Sequence, residues 1–159
     1  MELYSNNLDY KRSNEIINNH IKNLENNKLN INNIVKNITF LLEELIPCNI
    51  FFIGVGKSGL VCQKCVSTWR SLGIKCHYLD IISLFHGDFG VLNTGDVVIF
   101  ISNSGNTVEL INTAKYIFNM FSITKIGIVS NTECELDKYV DHIYKLHKIT
   151  EADELNMVP

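Results

Sequence analysis

The sequence predicts an α/β domain built as a doubly wound, mainly five-stranded parallel sheet with an N-terminal helical segment. From residue 49 onward, short and nearly continuous apolar runs alternate with helix-like segments, which is typical of parallel strands buried on both faces. The first 48 residues instead have apolar side chains spaced three and four apart, as in amphipathic helices. A chain of 159 residues has room for one structural domain rather than two.

Residues 1–48 are expected to form two amphipathic helices that pack on the domain. The apolar spacing covers residues 16–24 and resumes over 31–45, with a polar break at 26–30 between them. Pro47 is expected to end the second helix. Asn is frequent in this segment, but the regular spacing favours ordered helices over disorder.

Residues 49–159 are expected to form the sheet and the helices that cover it. The predicted strands are NIFFIG (49–54), KCHYL (75–79), DVVIFIS (96–102), KIGIVS (125–130) and HIYKL (142–146). Helices are predicted over 58–72 and 106–121, with a short helical turn at 133–139, and Gly73 is expected to close the first of them. In a sheet of this kind crossovers are right-handed and ligands bind at the carboxyl ends of the strands.

Composition and charge exclude several classes of protein. A net charge of −3 gives no basic stripe, so nucleic acid is not expected as a partner. The sequence contains no apolar run of about eighteen residues and no signal-peptide core near Met1, so we expect no membrane partner and a cytoplasmic location.

The five cysteines point to reduced, mostly buried thiols, since their number is odd and their neighbours are apolar. Cys62 and Cys65 form a C-x-x-C within a predicted helix, without a second such pair, and a structural role is favoured over a metal or redox site. No metal and no cofactor are expected.

The loop GVGKSG after the first strand has two interpretations. Gly54, Gly56 and Gly59 satisfy the dinucleotide pattern G-x-G-x-x-G, and Asp80 stands at the position where such proteins hold the ribose. Lys57 has no part in that pattern, however, and a lysine in a glycine-rich loop at a helix start suits a phosphate.

A second polar loop, ISNSGNTVE, follows the third strand and is expected to lie beside the first. Around Gly105 it gathers Ser102, Asn103, Ser104 and Thr107. Helix capping by Ser104 or Asn106, with Glu109 closing a capping box, explains one of these residues but not all four. Two short polar loops suit a small phosphorylated molecule better than an extended dinucleotide.

The motifs GVGKSG, FHGDFG and ISNSGNTVE, in this order and spacing, resemble the sugar isomerase (SIS) domain family, a flavodoxin-like three-layer sandwich. The similarity is greatest to the arabinose-5-phosphate isomerase branch, with G-x-G-K-S-G, H-G-D-x-G and S-N-S-G-x-[ST]-x-E, and it covers roughly residues 10–159. It implies an aldose–ketose isomerase that acts on a sugar phosphate, arabinose 5-phosphate/ribulose 5-phosphate, through an enediolate.

The resemblance also implies roles for individual residues. The substrate and its phosphate would contact Gly56, Ser58, Gly59, Ser102, Asn103, Ser104 and Thr107. Lys57 would stabilise the developing negative charge, and Glu109 is the candidate base. His86 would meet substrate hydroxyls or assist ring opening, and Glu151 aligns with a further glutamate of the family.

The chain departs from the family pattern at three points. Asp80 replaces a histidine associated with metal binding, so a zinc site of that type is not expected. CBS repeats are absent from the sequence. At Pro159 the chain stops where the family continues into a Ser/Thr-rich turn, a long helix and a second catalytic histidine. We therefore expect an apolar face that another subunit, another chain or the N-terminal helices cover, and a homo-oligomer, dimer or tetramer.

Two alternatives to the isomerase stay open. A non-catalytic sugar-phosphate-binding module would keep both loops without the chemistry, and the early stop favours it. A dinucleotide-binding domain would rest on the glycine pattern and Asp80, but it leaves the second loop unexplained.

Overall fold

The computed structural model describes residues 6–45, 47–120 and 122–147. The helices are α1 (Asn6–Leu45), α2 (Lys57–Ser71), α3 (Ile81–Phe85) and α4 (Val108–Phe118). The strands are β1 (Ile50–Ile53), β2 (Cys76–Tyr78), β3 (Val97–Ser102), β4 (Thr124–Val129) and β5 (His142–Lys145). Two 3₁₀ helices occupy Asp88–Val91 and Glu135–Tyr139.

The five strands form one parallel sheet in the order β2-β1-β3-β4-β5. Ile50 of β1 stands opposite Cys76 on one side and Val97 on the other, so β1 and β3 are neighbours although β2 lies between them in the chain. The strand order therefore reverses between β1 and β3, which is the place where ligands bind in sheets of this class. The predicted fold class is confirmed.

Side chains alternate between two apolar layers along each central strand. Phe51 and Ile53 join one core cluster with residues of α3 and α4, such as Leu84 and Leu110. Ile50 and Phe52 point to the opposite face, where the second cluster contains Cys62 and Val66 of α2, with Leu41, Leu42, Leu45 and Trp69 packed against it. The sheet is thus covered on both sides, as its uninterrupted apolar runs require.

The N-terminal segment forms one helix over its described residues, not the two that the polar break at 26–30 predicted. The asparagines of that break find partners at the end of β5. The side-chain Oδ1 of Asn27, which is buried, accepts from the backbone N–H of His147 (2.9 Å), and Asn30 Nδ2 donates to the carbonyl of Lys145 (2.8 Å). Tertiary hydrogen bonds therefore offset the weak helix propensity of these asparagines.

Residues 81–91 contain two helical elements, α3 and the first 3₁₀ helix, that the sequence analysis left unassigned. Asp80 is the N-cap of α3: its Oδ1 accepts from the N–H groups of Ile82 (3.0 Å) and Ser83 (3.2 Å). Its carboxylate thus has a local structural use, which explains an acidic residue at this position without a dinucleotide. Helix α2 ends near Gly73, with φ 82°, as predicted.

A buried lysine of β4 forms an ion pair with an aspartate at the start of β5. Lys125, whose side chain is 8% exposed, donates from Nζ to the carbonyl of Ile123 (2.7 Å) and pairs with Asp141 Oδ2 (3.1 Å). The same carboxylate oxygen accepts from the backbone N–H of Lys125 (2.7 Å). Asp141 therefore ties the entry of β5 to β4.

We predict that Asp141→Ala lowers the free energy of unfolding by about 1–3 kcal/mol, because it leaves a buried ammonium and a backbone N–H short of an acceptor. Asp137→Ala is the matched control: it removes a carboxylate from the exposed pair with Lys145 (2.9 Å), where a loss below about 1 kcal/mol is expected. Urea unfolding measures both, and equal losses would contradict the role assigned to Asp141.

Candidate functional site

A cavity lies at the carboxyl ends of β1, β3 and β4, between the starts of α2 and α4. Its volume is about 500 Å³. The polar residues that line it are Lys57, Ser58, Ser102, Asn103, Ser104, Thr107 and Ser130. Six of these seven were predicted from the two loops, so the structure brings the loops together around one space.

The glycines of the first loop allow α2 to pack closely on the sheet. A Cβ at Gly59 would lie 2.9 Å from the Gly54 carbonyl oxygen, and one at Gly54 would lie 2.9 Å from the backbone of Ser58. The Tyr78 hydroxyl donates to the same Gly54 carbonyl (3.4 Å). Gly56 has a positive φ of 58° directly before α2, a conformation that other residues rarely adopt. Packing and chain reversal therefore account for the G-x-G-x-x-G pattern.

Lys57 is the first residue of α2 and lines the cavity. Within the described part of the chain, it is the one charged side chain among the lining residues. The positive end of the α2 dipole points in the same direction. This corner of the cavity is therefore suited to a negatively charged group.

The second loop is held by hydrogen bonds between its serines and its own backbone. Ser102 Oγ accepts from the N–H of Gly105 (3.0 Å), and Ser104 Oγ accepts from the N–H of Asn106 (3.1 Å). Each hydroxyl keeps its own proton for a further bond. The loop therefore presents oriented O–H donors to the cavity, next to the first N–H groups of α4, which have no carbonyl partner within the helix.

Asn106, which also belongs to that loop, does not line the cavity. Its Oδ1 accepts from the N–H of Glu135 (2.7 Å), so it joins the loop to the second 3₁₀ helix. The N-cap of α4 is Thr107, so the capping box between Asn106 and Glu109 that the sequence suggested is not formed. Helix α4 therefore begins at Val108, two residues after the predicted start at 106, because Asn106 bonds to Glu135 and does not enter the helix.

Several predicted residues do not line this cavity. Gly56 and Gly59 shape the loop beside it, as described above. Glu109 is exposed in the first turn of α4, and His86 is exposed at the C-cap of α3. Glu151 lies outside the described residues. Their catalytic roles stay predictions.

Sequence reasoning missed the apolar part of the lining and one hydroxyl. Ser130 follows β4 directly, and its N–H donates to the Asn103 carbonyl (3.0 Å). The apolar lining residues are Val55, Val61, Ile101, Leu110, Ile128, Val129 and Leu146. The sequence did offer a signal for Ser130, because it directly follows the fourth apolar run. The carboxyl ends of parallel strands lie at one edge of the sheet, so a residue at that position is expected near the two polar loops.

Cys62 and Cys76 are buried, and Cys48, Cys65 and Cys134 are partly buried. Burial raises the pKa of Cys62 to about 12, and it also raises the pKa values of Cys65 and Cys76. Raised values disfavour the thiolate that metal binding and redox chemistry need. Over residues 6–45, 47–120 and 122–147, no cluster of three His, Cys, Asp or Glu side chains has the geometry to hold a metal ion. The helices in those ranges include none that is long and apolar enough to cross a membrane.

A family model described as the SIS domain matches residues 47–158. The chain belongs to the SIS domain family. It is 32% identical over 111 residues to "Arabinose 5-phosphate isomerase KpsF" of Escherichia coli, and 34% identical over 110 residues to "Arabinose 5-phosphate isomerase KdsD" of Francisella tularensis. These alignments cover 70% and 69% of this chain but only 35% and 33% of the relatives. The chain thus spans about a third of the length of these curated SIS proteins.

The fold also resembles those of two solved structures. The chain resembles the E. coli CFT073 protein c3406 in complex with arabinose 5-phosphate, with a TM-score of 0.83 and 28% identity over 98% of this chain and 82% of that one. It also resembles the Vibrio vulnificus NanR protein complexed with ManNAc-6P, with a TM-score of 0.72 over 88% of this chain and 52% of that one. At 17% identity the second likeness concerns the fold alone.

We predict that Gly105→Ala disturbs the second loop and lowers the free energy of unfolding by about 1–3 kcal/mol. Gly105 has a φ of 65°, and a Cβ there would lie 2.6 Å from Cys134 Cβ and 2.9 Å from its sulfur. Gly90→Ala is the control, because no heavy atom lies within 4 Å of a Cβ at that glycine. Thermal and urea unfolding compare the two, and a stable Gly105→Ala protein would contradict this packing.

Proposed function

We propose that this chain is an aldose–ketose isomerase that interconverts arabinose 5-phosphate and ribulose 5-phosphate. The observation that supports it best is the meeting of two helix N-termini, Lys57 and several hydroxyls around one cavity. A volume of about 500 Å³ falls in the range of small-ligand sites. Relatives named arabinose 5-phosphate isomerase, and the similar E. coli structure in complex with that sugar phosphate, support this substrate.

In the proposed complex the phosphate rests on the second loop. Ser102, Ser104 and Thr107 donate their hydroxyl protons to its oxygens, and the N–H groups at the start of α4 add to these bonds. Ser58, Asn103 and Ser130 are then available to the sugar hydroxyls. The apolar part of the lining excludes water from the carbon atoms.

The chemistry removes the proton from C2 of the open-chain aldose and returns a proton to C1, while the hydroxyl proton on the C2 oxygen passes to the oxygen at C1. The electron pair left at C2 forms the C1–C2 double bond of the enediolate, and negative charge develops on the oxygen at C1. Lys57, at the positive end of α2, stabilises that charge in our proposal. The base is proposed to be Glu109, with His86 assisting ring opening and Glu151 a further catalytic residue, as the family resemblance implies.

A binding module without catalysis is the second candidate, and one observation favours it. Among the described residues, the lining of the cavity includes no carboxylate and no imidazole, so the base has to come from outside the lining. The two candidates share the phosphate site and differ in turnover.

We predict that Lys57→Ala lowers turnover of arabinose 5-phosphate by about 10²-fold or more, because it removes the cation next to the enediolate oxygen. Lys64→Ala is the matched control, since Lys64 is an exposed lysine of the same helix that does not line the cavity. Formation of ribulose 5-phosphate is followed directly. Equal activity of the two variants would contradict the role proposed for Lys57.

Calorimetric binding of arabinose 5-phosphate to Ser104→Ala separates the remaining possibilities. Loss of one charge-assisted hydrogen bond should weaken binding about tenfold. Saturable binding that needs Ser104, without turnover in the wild-type chain, would establish the binding module. Absence of binding together with thermal stabilisation by NAD would instead favour the dinucleotide hypothesis.

A further inference from the structure

The second loop rests on the chain segment that runs from the end of β4 through the second 3₁₀ helix, residues 130–139. Three oxygens of the loop accept hydrogen bonds from backbone N–H groups of that segment. The pairs are Ser130 with the Asn103 carbonyl (3.0 Å), Leu136 with the Gly105 carbonyl (3.1 Å) and Glu135 with Asn106 Oδ1 (2.7 Å). The oxygens of Gly105 and Asn106 are therefore directed at residues outside the cavity lining. This leaves the N–H and O–H donors of the loop to face an anion.

The second 3₁₀ helix is fixed to both the sheet and α4. Leu136 is fully buried, and a Cβ on Gly127 of β4 would lie 3.2 Å from its Cδ2, so the absence of a side chain at Gly127 lets the two elements pack directly. Glu135 Oε1 pairs with Lys115 Nζ of α4 (3.1 Å), and the same Nζ lies 5.3 Å from the centre of the Tyr139 ring. The support of the second loop is thus attached to the helix that follows the loop.

Asn106 connects this support to a serine of the second loop. Its backbone N–H donates to Ser104 Oγ (3.1 Å), while its side-chain Oδ1 accepts from the N–H of Glu135 (2.7 Å). Two hydrogen bonds therefore link the Ser104 hydroxyl to the second 3₁₀ helix. Because this hydroxyl keeps its own proton for a ligand, the position of Asn106 sets where that donor lies.

The side chain of Asn106 is not used to cap α4. The N-cap of that helix is Thr107, and the bond that Asn106 makes spans 29 positions of the chain. The neighbouring bond from Leu136 to the Gly105 carbonyl involves backbone atoms alone, so it can form in any variant of Asn106. Replacement of the exposed Asn106 should therefore loosen the second loop without unfolding the domain.

We propose that Asn106 is a positioning residue of the phosphate site. The proposal rests on the proposed function in one respect, that the second loop binds a phosphate group. Asn106 does not line the cavity and acts through Ser104, whose hydroxyl its backbone N–H orients. Donors that are held in place before the ligand arrives lose less conformational freedom on binding, and the phosphate is then bound more tightly.

Titration of ¹⁵N-labelled protein with inorganic phosphate, followed by amide chemical shifts, tests this role. We expect Asn106→Ala to raise the dissociation constant of phosphate about fivefold, the effect of one ordinary hydrogen bond. Asn119→Ala is the matched control. Asn119 is also exposed and donates from Nδ2 to the Lys115 carbonyl (3.1 Å), but it lies at the C-cap of α4 and does not line the cavity. It should leave phosphate binding unchanged.

A double-mutant cycle with Ser104→Ala separates positioning from a general loss of stability. Because Asn106 acts through Ser104, Asn106→Ala should raise the dissociation constant by no more than about twofold when Ser104 is already alanine. Equal fold-changes with and without Ser104 would overturn the proposal. So would equal effects of Asn106→Ala and Asn119→Ala, or a wild-type chain whose second loop shows no phosphate-induced shifts.

A parallel titration with arabinose 5-phosphate distinguishes this proposal from the proposed function. Phosphate binding that depends on Asn106, without binding or turnover of arabinose 5-phosphate, would contradict the isomerase and support the positioning role. Turnover of arabinose 5-phosphate in a chain whose phosphate affinity is the same with Asn106 or alanine would contradict the positioning role alone.

Discussion

Two helices start side by side at the same edge of the sheet, and the candidate site depends on this arrangement. Because β1 and β3 are neighbours with parallel directions, α2 and α4 both leave that edge with their N-termini toward one cavity. Each start contributes partial positive charge and N–H groups that have no carbonyl partner within the helix. Lys57 and the hydroxyls of the second loop add to a field that already favours an anion. Gly54, Gly59 and Gly105 are needed because side chains there would collide with the backbone or with Cys134.

The sheet could be predicted from the sequence because its strands are buried on both faces and therefore appear as continuous apolar runs. That residues 6–45 form a single helix could not be predicted, because asparagines locally favour a break in a helix. Asn27 and Asn30 instead bond to the backbone of His147 and Lys145, which lie far away in the sequence. Helix α3 was missed because five residues are too few for a periodic signal. Asp80, the N-cap of α3, was instead considered as a ribose ligand, because a carboxylate at that position can either cap a helix or bind a ribose.

The polar half of the site was predictable for a different reason. Hydroxyl, amide and lysine side chains crowd the two loops that directly follow buried strands, and the sheet topology placed those loops together. The apolar half is built from strand and helix residues such as Ile101 and Leu110, which are indistinguishable from core residues in the sequence. His86 and Glu109 were singled out from the family resemblance, and both are exposed outside the lining of the cavity.

A sugar phosphate that binds where α2 and α4 begin should perturb the backbone amides of both helix starts. Titration of ¹⁵N-labelled protein with arabinose 5-phosphate tests this binding site, because amide chemical shifts locate the ligand whether or not it reacts. We expect the largest shifts for the amides of residues 56–59 and 102–109. Shifts concentrated at the amino edge of the sheet, in the polar cleft around Asp96 and Lys75, or no saturable shifts at all, would show that the sugar phosphate does not bind there.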